Sequence, residues 1–166
     1  MTTQEPIPGI TFQNVWKEKN QELLDEIVDA WTRYKAIPPG ENPLDRAKQV
    51  VYLARNEENH IVGIATAYIR RIGQLRANMF VYRSFVAEPY RRKGIMTRIT
   101  VMTRDYLELI HQNINPRCLG IIAEIENEGL QQTLRQAVYP QSKLALIGYS
   151  KRGNPIRVYY FQGAKI

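Results

Sequence analysis

The stretch that decides the fold runs from Phe85 to Thr97 and reads FVAEPYRRKGIMT. It predicts a strand that ends near Val86, then a basic loop, then a helix that begins beside Gly94. The first backbone amides of a helix have no acceptor within the helix and lie at the positive end of its dipole. Because Gly94 lets the backbone approach an anion closely, the junction is typical of a phosphate-binding site.

The glycine spacing excludes two common phosphate loops. The junction has neither the Gly-x-x-x-x-Gly-Lys-Ser/Thr pattern of nucleoside triphosphatases nor the triple glycine of dinucleotide folds. Arg91, Arg92 and Lys93 add positive charge, and the arginines offer paired donors to a phosphate. The sequence therefore favours a different pyrophosphate ligand, and the alternative is a basic helix start that binds nothing.

The positive charge of the chain is local. Of a formal net charge of +7, all of the excess lies between Arg70 and Arg98, where eight basic residues accompany one acid, Glu88. The basic residues are Arg70, Arg71, Arg76, Arg83, Arg91, Arg92, Lys93 and Arg98. This segment predicts a polyanionic ligand, such as a nucleotide phosphate, RNA or an anionic surface, and the alternative is a solvated basic face.

Composition narrows the classes of function. A chain of 166 residues with 44% hydrophobic and 23% charged residues predicts one globular domain over residues 1–166. No apolar run is long enough to span a membrane and residues 1–10 lack a signal pattern, so we expect a cytoplasmic protein without a membrane partner. With one cysteine and two histidines, we expect neither a metal site nor an internal disulfide.

Hydrophobic periodicity predicts the element order β, α, short α, β, β, β, α, β, α, β, β. The predicted strands span residues 10–16, 50–54, 61–69, 79–86, 119–123, 144–147 and 156–161. Helices are predicted behind Asn20, near residues 43–49, along residues 95–110, and from Leu130 to Pro140. Terminal hairpins and two helical crossovers predict a mixed sheet covered by helices, which is an α+β or α/β sandwich.

The basic loop resembles the signature of the GNAT acetyltransferase superfamily, Arg/Gln-x-x-Gly-x-Gly/Ala after a strand with an apolar end. The run from Arg91 to Ile95 matches that signature in order, and Val86 stands where the family ends its central strand. Met96 departs from the family's glycine or alanine, and Pro89 lies one residue later than in the common form.

Two later stretches carry the same resemblance, as do the element order and the chain length. The run from Glu124 to Asn127 looks like the family's next strand with its terminal asparagine, and Gly148-Tyr149 looks like its late glycine–aromatic pair. The resemblance implies a GNAT-like fold of the α/β (α+β) class. In such a fold a mixed, mostly antiparallel sheet of about seven strands is covered by helices on both faces.

The resemblance also implies an N-acetyltransferase that moves an acetyl or acyl group from acetyl-CoA to a primary amine by direct attack, without a metal. The cosubstrate would lie across the splayed ends of two parallel strands. The backbone of Phe85 and Val86 would pair with its pantetheine arm and polarise the thioester carbonyl. Asn127 would orient the arm, and its other role would be a helix N-cap. The pyrophosphate would be held by Arg91, Arg92, Lys93, Gly94, Ile95, Met96 and Thr97.

Acyl transfer needs a base, or a water path, that removes the proton of the amine. Glu124 is the base candidate because it follows the apolar run of residues 119–123, where a sheet edge opens. Glu126 shares its strand face by period two, and Glu88 lies in the basic loop. Each of the three is otherwise an ordinary solvated carboxylate.

The reaction also needs an acid near the departing thiolate. The position where the family often places a tyrosine is Arg135, so Tyr139, about one helical turn later, is the acid candidate. Tyr82 on the central strand is another. Tyr139 otherwise packs at a helix end, and proximity alone is a further route to catalysis.

Two classes of function stay open at this point. The first is an N-acetyltransferase whose acceptor is a small-molecule amine, a peptide amine or an aminoacylated RNA. The second is a non-catalytic acyl-CoA-binding or RNA-binding module that uses the segment from Arg70 to Arg98. Binding of RNA alone is less favoured because no RNA-reading motif with ordered aromatic positions is present. A homodimer is left open.

Overall fold

A computed structural model describes residues 4–166 of the chain. In chain order the helices and strands are β1 (Thr11–Asn14), α1 (Gln21–Arg33), α2 (Pro43–Ala47), β2 (Val50–Arg55), β3 (Ile61–Ile72), β4 (Ala77–Val86), α3 (Ile95–Ile114), β5 (Cys118–Glu124), α4 (Glu128–Thr133), β6 (Ala145–Tyr149) and β7 (Pro155–Tyr160). Short 3₁₀ turns at Gly73–Leu75 and Glu88–Tyr90 flank β4. Within the described residues no helix has the length and apolar character that a membrane crossing requires.

The seven strands form one sheet in the order β1-β2-β3-β4-β5-β7-β6. β4 and β5 pair in parallel, with Asn78 opposite Cys118 and Val81 opposite Ile122. The β1–β2, β2–β3, β5–β7 and β6–β7 pairs are antiparallel. A parallel pair needs a long crossover, which α3 supplies between β4 and β5. The predicted mixed, mostly antiparallel sheet of the α/β (α+β) class is confirmed.

The contacts of the chain divide it into two compact units. Unit 1 comprises the residues up to Thr66 together with Ser84–Met102, and unit 2 comprises Ala67–Arg83 together with Thr103–Ile166. β3, β4 and α3 each contribute residues to both units. A single domain over residues 1–166 stays a prediction.

The core of unit 1 forms between α1 and the strands β2 and β3. As the sequence predicts, Asn20 caps α1, and its side-chain oxygen accepts a hydrogen bond from the Leu23 amide at 2.9 Å. The buried face of α1 includes Ile27 and Trp31, which pack in one cluster with residues of both strands. Phe85 packs against this cluster, so the end of β4 rests on the core of unit 1.

A glycine on β3 brings the start of α3 close to the sheet. A Cβ atom on Gly63 would lie 3.0 Å from the Ala54 Cβ and 3.3 Å from the Ile95 Cγ2. Such contacts leave little room for a side chain. The Ala87 amide also donates to the Val62 carbonyl at 2.8 Å, which extends the attachment to β3 just past the end of β4.

The fourth predicted helix is wrong in length, because α4 ends at Thr133 rather than near Pro140. The Tyr139 amide donates to the Leu144 carbonyl at 3.0 Å, and the Leu146 amide donates to the Ala137 carbonyl at 2.8 Å. These bonds, which span five and nine positions of the chain, satisfy backbone groups that a helix would have paired with partners four positions away. Val138, expected on the buried stripe of that helix, is 48% exposed.

Candidate active site

The basic loop of unit 1 begins at a firmly held strand end. After Val86 the chain enters the 3₁₀ turn Glu88–Tyr90, and the Tyr90 hydroxyl accepts a hydrogen bond from the Asn56 side chain at 2.9 Å. The Arg91 Nε donates to the Val86 carbonyl at 3.0 Å. One donor of Arg91 is therefore used within the protein, and the Val86 carbonyl already has a partner before any pantetheine arm arrives.

The loop then turns sharply through two left-handed residues. Arg92 has a φ of 64° and Gly94 has a φ of 82°. The first bond of α3 joins the Arg98 amide to the Gly94 carbonyl at 3.0 Å. The amides of the three intervening residues, Ile95, Met96 and Thr97, therefore have no acceptor within the helix. Alternating backbone conformations of this kind form concave surfaces that bind anions.

Three basic side chains belong to this turn. The side chains of Arg91, Arg92 and Lys93 are exposed, and the Lys93 ammonium lies 5.4 Å from the centre of the Tyr90 ring. None of the three basic side chains is buried. The loop therefore combines unpaired amides with cations that solvent and ligands can reach.

The N-terminal residues lie beside the loop, which the sequence did not predict. The Arg98 guanidinium donates to the Glu5 carbonyl, and the Ile7 Cδ1 lies 3.8 Å from the position of a Cβ on Gly94. Arg98 is thus tied to the backbone of the N-terminal segment. No periodicity or motif in residues 4–10 signals this contact.

Met96, the departure from the family signature, is directed toward β4. Its sulfur accepts a hydrogen bond from the Ser84 hydroxyl at 2.7 Å. The neighbouring Ile95 is buried and Thr97 is half-buried. The larger side chain at this position therefore packs against the strand.

The basic segment Arg70 to Arg98 is divided between the two units. Arg70, Arg71 and Arg76 are exposed on or beside the turn between β3 and β4, in unit 2. Arg83 is also in unit 2, and its guanidinium lies 6.0 Å from the Tyr68 ring centre. The remaining four cations belong to the loop and the first turn of α3 in unit 1.

The base candidate Glu124 lies at the end of β5 in unit 2. Its Oε1 accepts hydrogen bonds from Arg152 and Asn154, each at 3.0 Å, and Glu126 accepts a second bond from Arg152 at 2.6 Å. Burial raises the pKa of the Glu124 carboxyl, but the hydrogen bonds of Asn154 and Ser150 and the charge of Arg152 lower it more. Glu124 is therefore held below its usual pKa and is ionised at neutral pH.

Asn127 caps α4. Its side-chain oxygen accepts a hydrogen bond from the Leu130 amide at 3.0 Å, which confirms the capping role that the sequence left open beside cofactor binding. Gln131, on the same helix, donates to the Ile125 carbonyl at 2.7 Å. The chain that leaves β5 is thus held by the first turns of α4.

The acid candidate Tyr139 lies in the irregular segment after α4 and is half-buried. The Arg157 guanidinium carbon is 3.7 Å from its ring centre. Burial raises the pKa of the Tyr139 phenol, and the positive charge of Arg157 opposes that rise only in part. Tyr82 is buried on β4, and Arg135 is exposed beside an open depression of about 380 Å³ in unit 2.

Sequence reasoning missed both arginines of unit 2 that contact the candidate catalytic side chains. Arg152 lies in the turn between β6 and β7, and Arg157 lies on β7. The sequence contains the two residues but no signal that pairs them with Glu124 and Tyr139. Among residues 4–166, no group of three or more His, Cys, Asp or Glu side chains is arranged to hold a metal ion.

Known proteins share this fold. The Vibrio fischeri ribosomal-protein-S5-alanine acetyltransferase has a TM-score of 0.63 at 14% identity, over 98% of each chain. Arabidopsis thaliana NAA60 in complex with acetyl-CoA has a TM-score of 0.60 at 16% identity, over 91% of this chain and 99% of that one. Salmonella typhimurium yncA with its cofactor acetyl-CoA has a TM-score of 0.61 at 10% identity, over 95% of this chain and 97% of that one.

At these identities the structures show a common fold. No curated protein sequence matches the chain. The model of the Acetyltransferase (GNAT) family matches residues 12–128, a range that contains the basic loop, Glu124 and Asn127. Because this match covers most of the sequence and the fold agrees with it, the chain belongs to the acetyltransferase (GNAT) family.

Proposed function

We propose that this chain is an N-acetyltransferase that moves the acetyl group of acetyl-CoA directly to a primary amine. The observation that carries the proposal is the loop of unit 1, where left-handed Arg92 and Gly94 precede three amides without helical acceptors. Family membership supports the reaction class, and the acetyl-CoA bound to NAA60 and yncA supports the cosubstrate.

In this proposal the pyrophosphate binds to the backbone from Arg92 to Thr97. An anion at a helix N-terminus gains roughly 0.3–1 kcal/mol from the dipole, and each charged hydrogen bond adds to that. The exposed side chains of Arg92 and Lys93 supply those bonds. Arg91 holds the Val86 carbonyl as well. The backbone of Phe85 and Val86 pairs with the pantetheine arm. Asn127 orients the same arm.

The chemical step divides two proton transfers between two side chains. The neutral amine attacks the thioester carbonyl and loses its proton to Glu124, directly or through water. As the new C–N bond forms, the C–S bond breaks and its electron pair remains on sulfur. Tyr139 then donates its phenolic proton to the thiolate and recovers a proton from solvent, while Glu124 releases the amine proton to solvent.

The acceptor is a small-molecule or peptide amine. The Vibrio fischeri enzyme is named for an alanine of a ribosomal protein, which supports a peptide amine as one class. The exposed side chains of Arg70, Arg71 and Arg76 favour an acceptor that carries acidic groups. Residues 1–166 act as one catalytic domain in the cytoplasm.

The test begins with binding. Thermal shift and calorimetry should detect acetyl-CoA and CoA, with stabilisation beyond that given by an equal charge concentration of heparin. Release of free thiol with a panel of amines and peptides then measures turnover. Turnover with at least one amine supports the enzyme. Binding without turnover across the panel would favour an acyl-CoA-binding module.

The second candidate is an RNA-binding module, which the exposed arginines beside the β3–β4 turn favour. Phosphates along a nucleic acid would bind that surface without any need for the loop of unit 1. Stabilisation by heparin but not by CoA thioesters would support this candidate and reject the acetyltransferase.

A further inference from the structure

A buried arginine of unit 2 carries its charge without a carboxylate partner. Arg157 on β7 is 3% exposed, and among residues 4–166 it belongs to no ion pair. Its Nη1 donates to the carbonyls of Ala137 and Leu144, each at 3.3 Å, and its buried Nε has no partner. Burial of an unpaired charge is costly, so such a residue calls for an explanation.

The two hydrogen bonds and the ring contact of this guanidinium converge on the segment that holds Tyr139. The two acceptor carbonyls, those of Ala137 and Leu144, stand on either side of Tyr139 in the chain, and the guanidinium carbon lies 3.7 Å from the ring centre. The Tyr139 amide also donates to the Leu144 carbonyl at 3.0 Å. One cation therefore holds both the ring and the backbone around it.

We propose that Arg157 is the positioning residue of Tyr139, holding the ring in one orientation and stabilising the phenolate that forms when the phenol gives up its proton. This inference rests on the proposed function, in which Tyr139 protonates the leaving thiolate. The phenolic proton moves to sulfur, the negative charge moves to the Tyr139 oxygen, and Arg157 keeps its protons throughout. Solvent then returns a proton to the phenolate.

The electrostatics agree with this geometry. Burial raises the pKa of the Tyr139 phenol, while the positive charge of Arg157 lowers it. Because no carboxylate neutralises Arg157, its charge remains available to a phenolate. An aromatic ring face also attracts a guanidinium, which favours the stacked arrangement before the reaction begins.

A second arginine–tyrosine pair of unit 2 offers a matched control. Arg104 lies 4.9 Å from the Tyr159 ring centre, but the Tyr159 hydroxyl donates to Glu108 at 3.1 Å and Arg104 pairs with Asp105 at 2.6 Å. In this pair the Asp105 carboxylate neutralises Arg104, and the Tyr159 hydroxyl bonds a carboxylate instead of facing an unpaired cation. Burial and then Glu108 raise the pKa of Tyr159.

The experiment is a pH titration of the full chain labelled with ¹³C at the tyrosine Cζ, with Tyr139→Phe used for assignment. In Arg157→Met the Tyr139 resonance should titrate at higher pH than in the wild type, and in Arg157→Lys the change should be smaller. Arg104 also donates to the Gln141 and Ser142 carbonyls, at 3.1 and 2.7 Å, so Arg104→Met controls for lost support of the same segment and should leave the Tyr139 midpoint unchanged. An unchanged or lower midpoint for Tyr139 in a folded Arg157 variant would overturn the inference.

A measurement on the wild type covers the case in which both Arg157 variants fail to fold. A ring held by Arg157 should flip slowly and give two separate signals for its Cε positions, whereas the 65% exposed Tyr149 should give one averaged signal. An averaged Tyr139 signal at room temperature would also overturn the inference.

Kinetics then separate this inference from the proposed function. With an amine found by the turnover panel, Arg157→Lys should lower kcat and leave the KM for acetyl-CoA unchanged. The NMR titration needs no turnover, so a Tyr139→Phe variant with full activity would reject the acid role without affecting the measured coupling. Loss of that coupling would reject the positioning role alone.

Discussion

Arg152, in the turn between β6 and β7, donates to the Glu124 carboxylate at the end of β5, and the Nη2 to Oε1 distance is 3.0 Å. The same nitrogen is 2.6 Å from Glu126 Oε1. One exposed cation thus bridges two carboxylates, one at the end of β5 and one just beyond it, so Glu126 is not on the strand as the sequence predicted. The base candidate is kept ionised by this contact, at the cost of some basicity.

Replacement of Arg152 by alanine should raise the pKa of Glu124. Burial raises this pKa, and the variant lacks one of the groups that lower it. In the wild type the lowered pKa of Glu124 stabilises the fold at pH values above the pKa of this group in the unfolded chain. That stability is lost as the pH falls through the pKa in the folded chain. The variant should lose less stability in this acidic range. A ¹³Cδ glutamate titration and thermal melts below about pH 6 measure both effects.

Lys151→Ala is the matched control for Arg152→Ala, because Lys151 is exposed on the same turn. It removes one positive charge without touching Glu124. Equal titration of Glu124 in the Arg152 variant and in this control would contradict the prediction.

Gly94→Asp should abolish binding of CoA thioesters while the fold persists. The new carboxylate would lie among the free amides at the start of α3 and repel a pyrophosphate. Asparagine and aspartate both tolerate left-handed backbone better than other side chains, so Gly94→Asn separates charge from strain. In calorimetry the affinity for CoA should fall at least about tenfold further in Gly94→Asp than in Gly94→Asn. A tenfold difference in affinity corresponds to about 1.4 kcal/mol.

Gly163→Asp controls for the backbone effect alone. Gly163 has a φ of 78°, close to the 82° of Gly94, and a Cβ there meets nothing within 4 Å. This variant should bind CoA like the wild type. Unchanged CoA affinity in a folded Gly94→Asp chain would remove the loop from the binding site.

Tyr139→Phe should lower kcat by roughly 10²-fold with little change in KM, as expected for a group that acts in the transition state. Tyr149→Phe, at an exposed tyrosine of the same unit, should retain full activity. Wild-type turnover in Tyr139→Phe would leave Tyr139 with a packing role. A loss in Tyr82→Phe instead would transfer the acid role to β4.

Alanine at Arg70, Arg71 and Arg76 together should raise the KM for an acidic acceptor and leave the KM for acetyl-CoA unchanged. The three side chains are exposed, so their attraction to an acceptor is screened by salt. Added salt should therefore raise the KM of the wild type for the acceptor and leave the KM of the variant almost unchanged. Kinetics at two ionic strengths measure the effect.

A control variant removes the same charge from unit 1, with alanine at the exposed Lys17, Arg33 and Lys35. Its acceptor kinetics should follow the wild type. If both triple variants changed acceptor kinetics equally, the effect would be one of net charge rather than of the β3–β4 turn.

Much of the fold followed from local patterns in the sequence. Helical spacing and the cap at Asn20 predicted α1, and the junction from Phe85 to Thr97 predicted β4, the loop and α3. Such signals are local because a helix pairs groups four residues apart and a strand repeats every two. The exception was the end of α4, where pairing of Ala137 and Tyr139 with residues 144–146 replaced helical bonds.

The sequence by itself therefore determined the strand–loop–helix junction from Phe85 to Thr97, the mixed sheet and the choice of candidate side chains. Only the tertiary structure decided which groups those side chains contact. Arg152 and Glu124 are separated by 28 positions, and Arg98 and Glu5 by 93. Contacts at such separations depend on strand order and register, which arise from packing of the whole chain, so no short stretch of sequence encodes them.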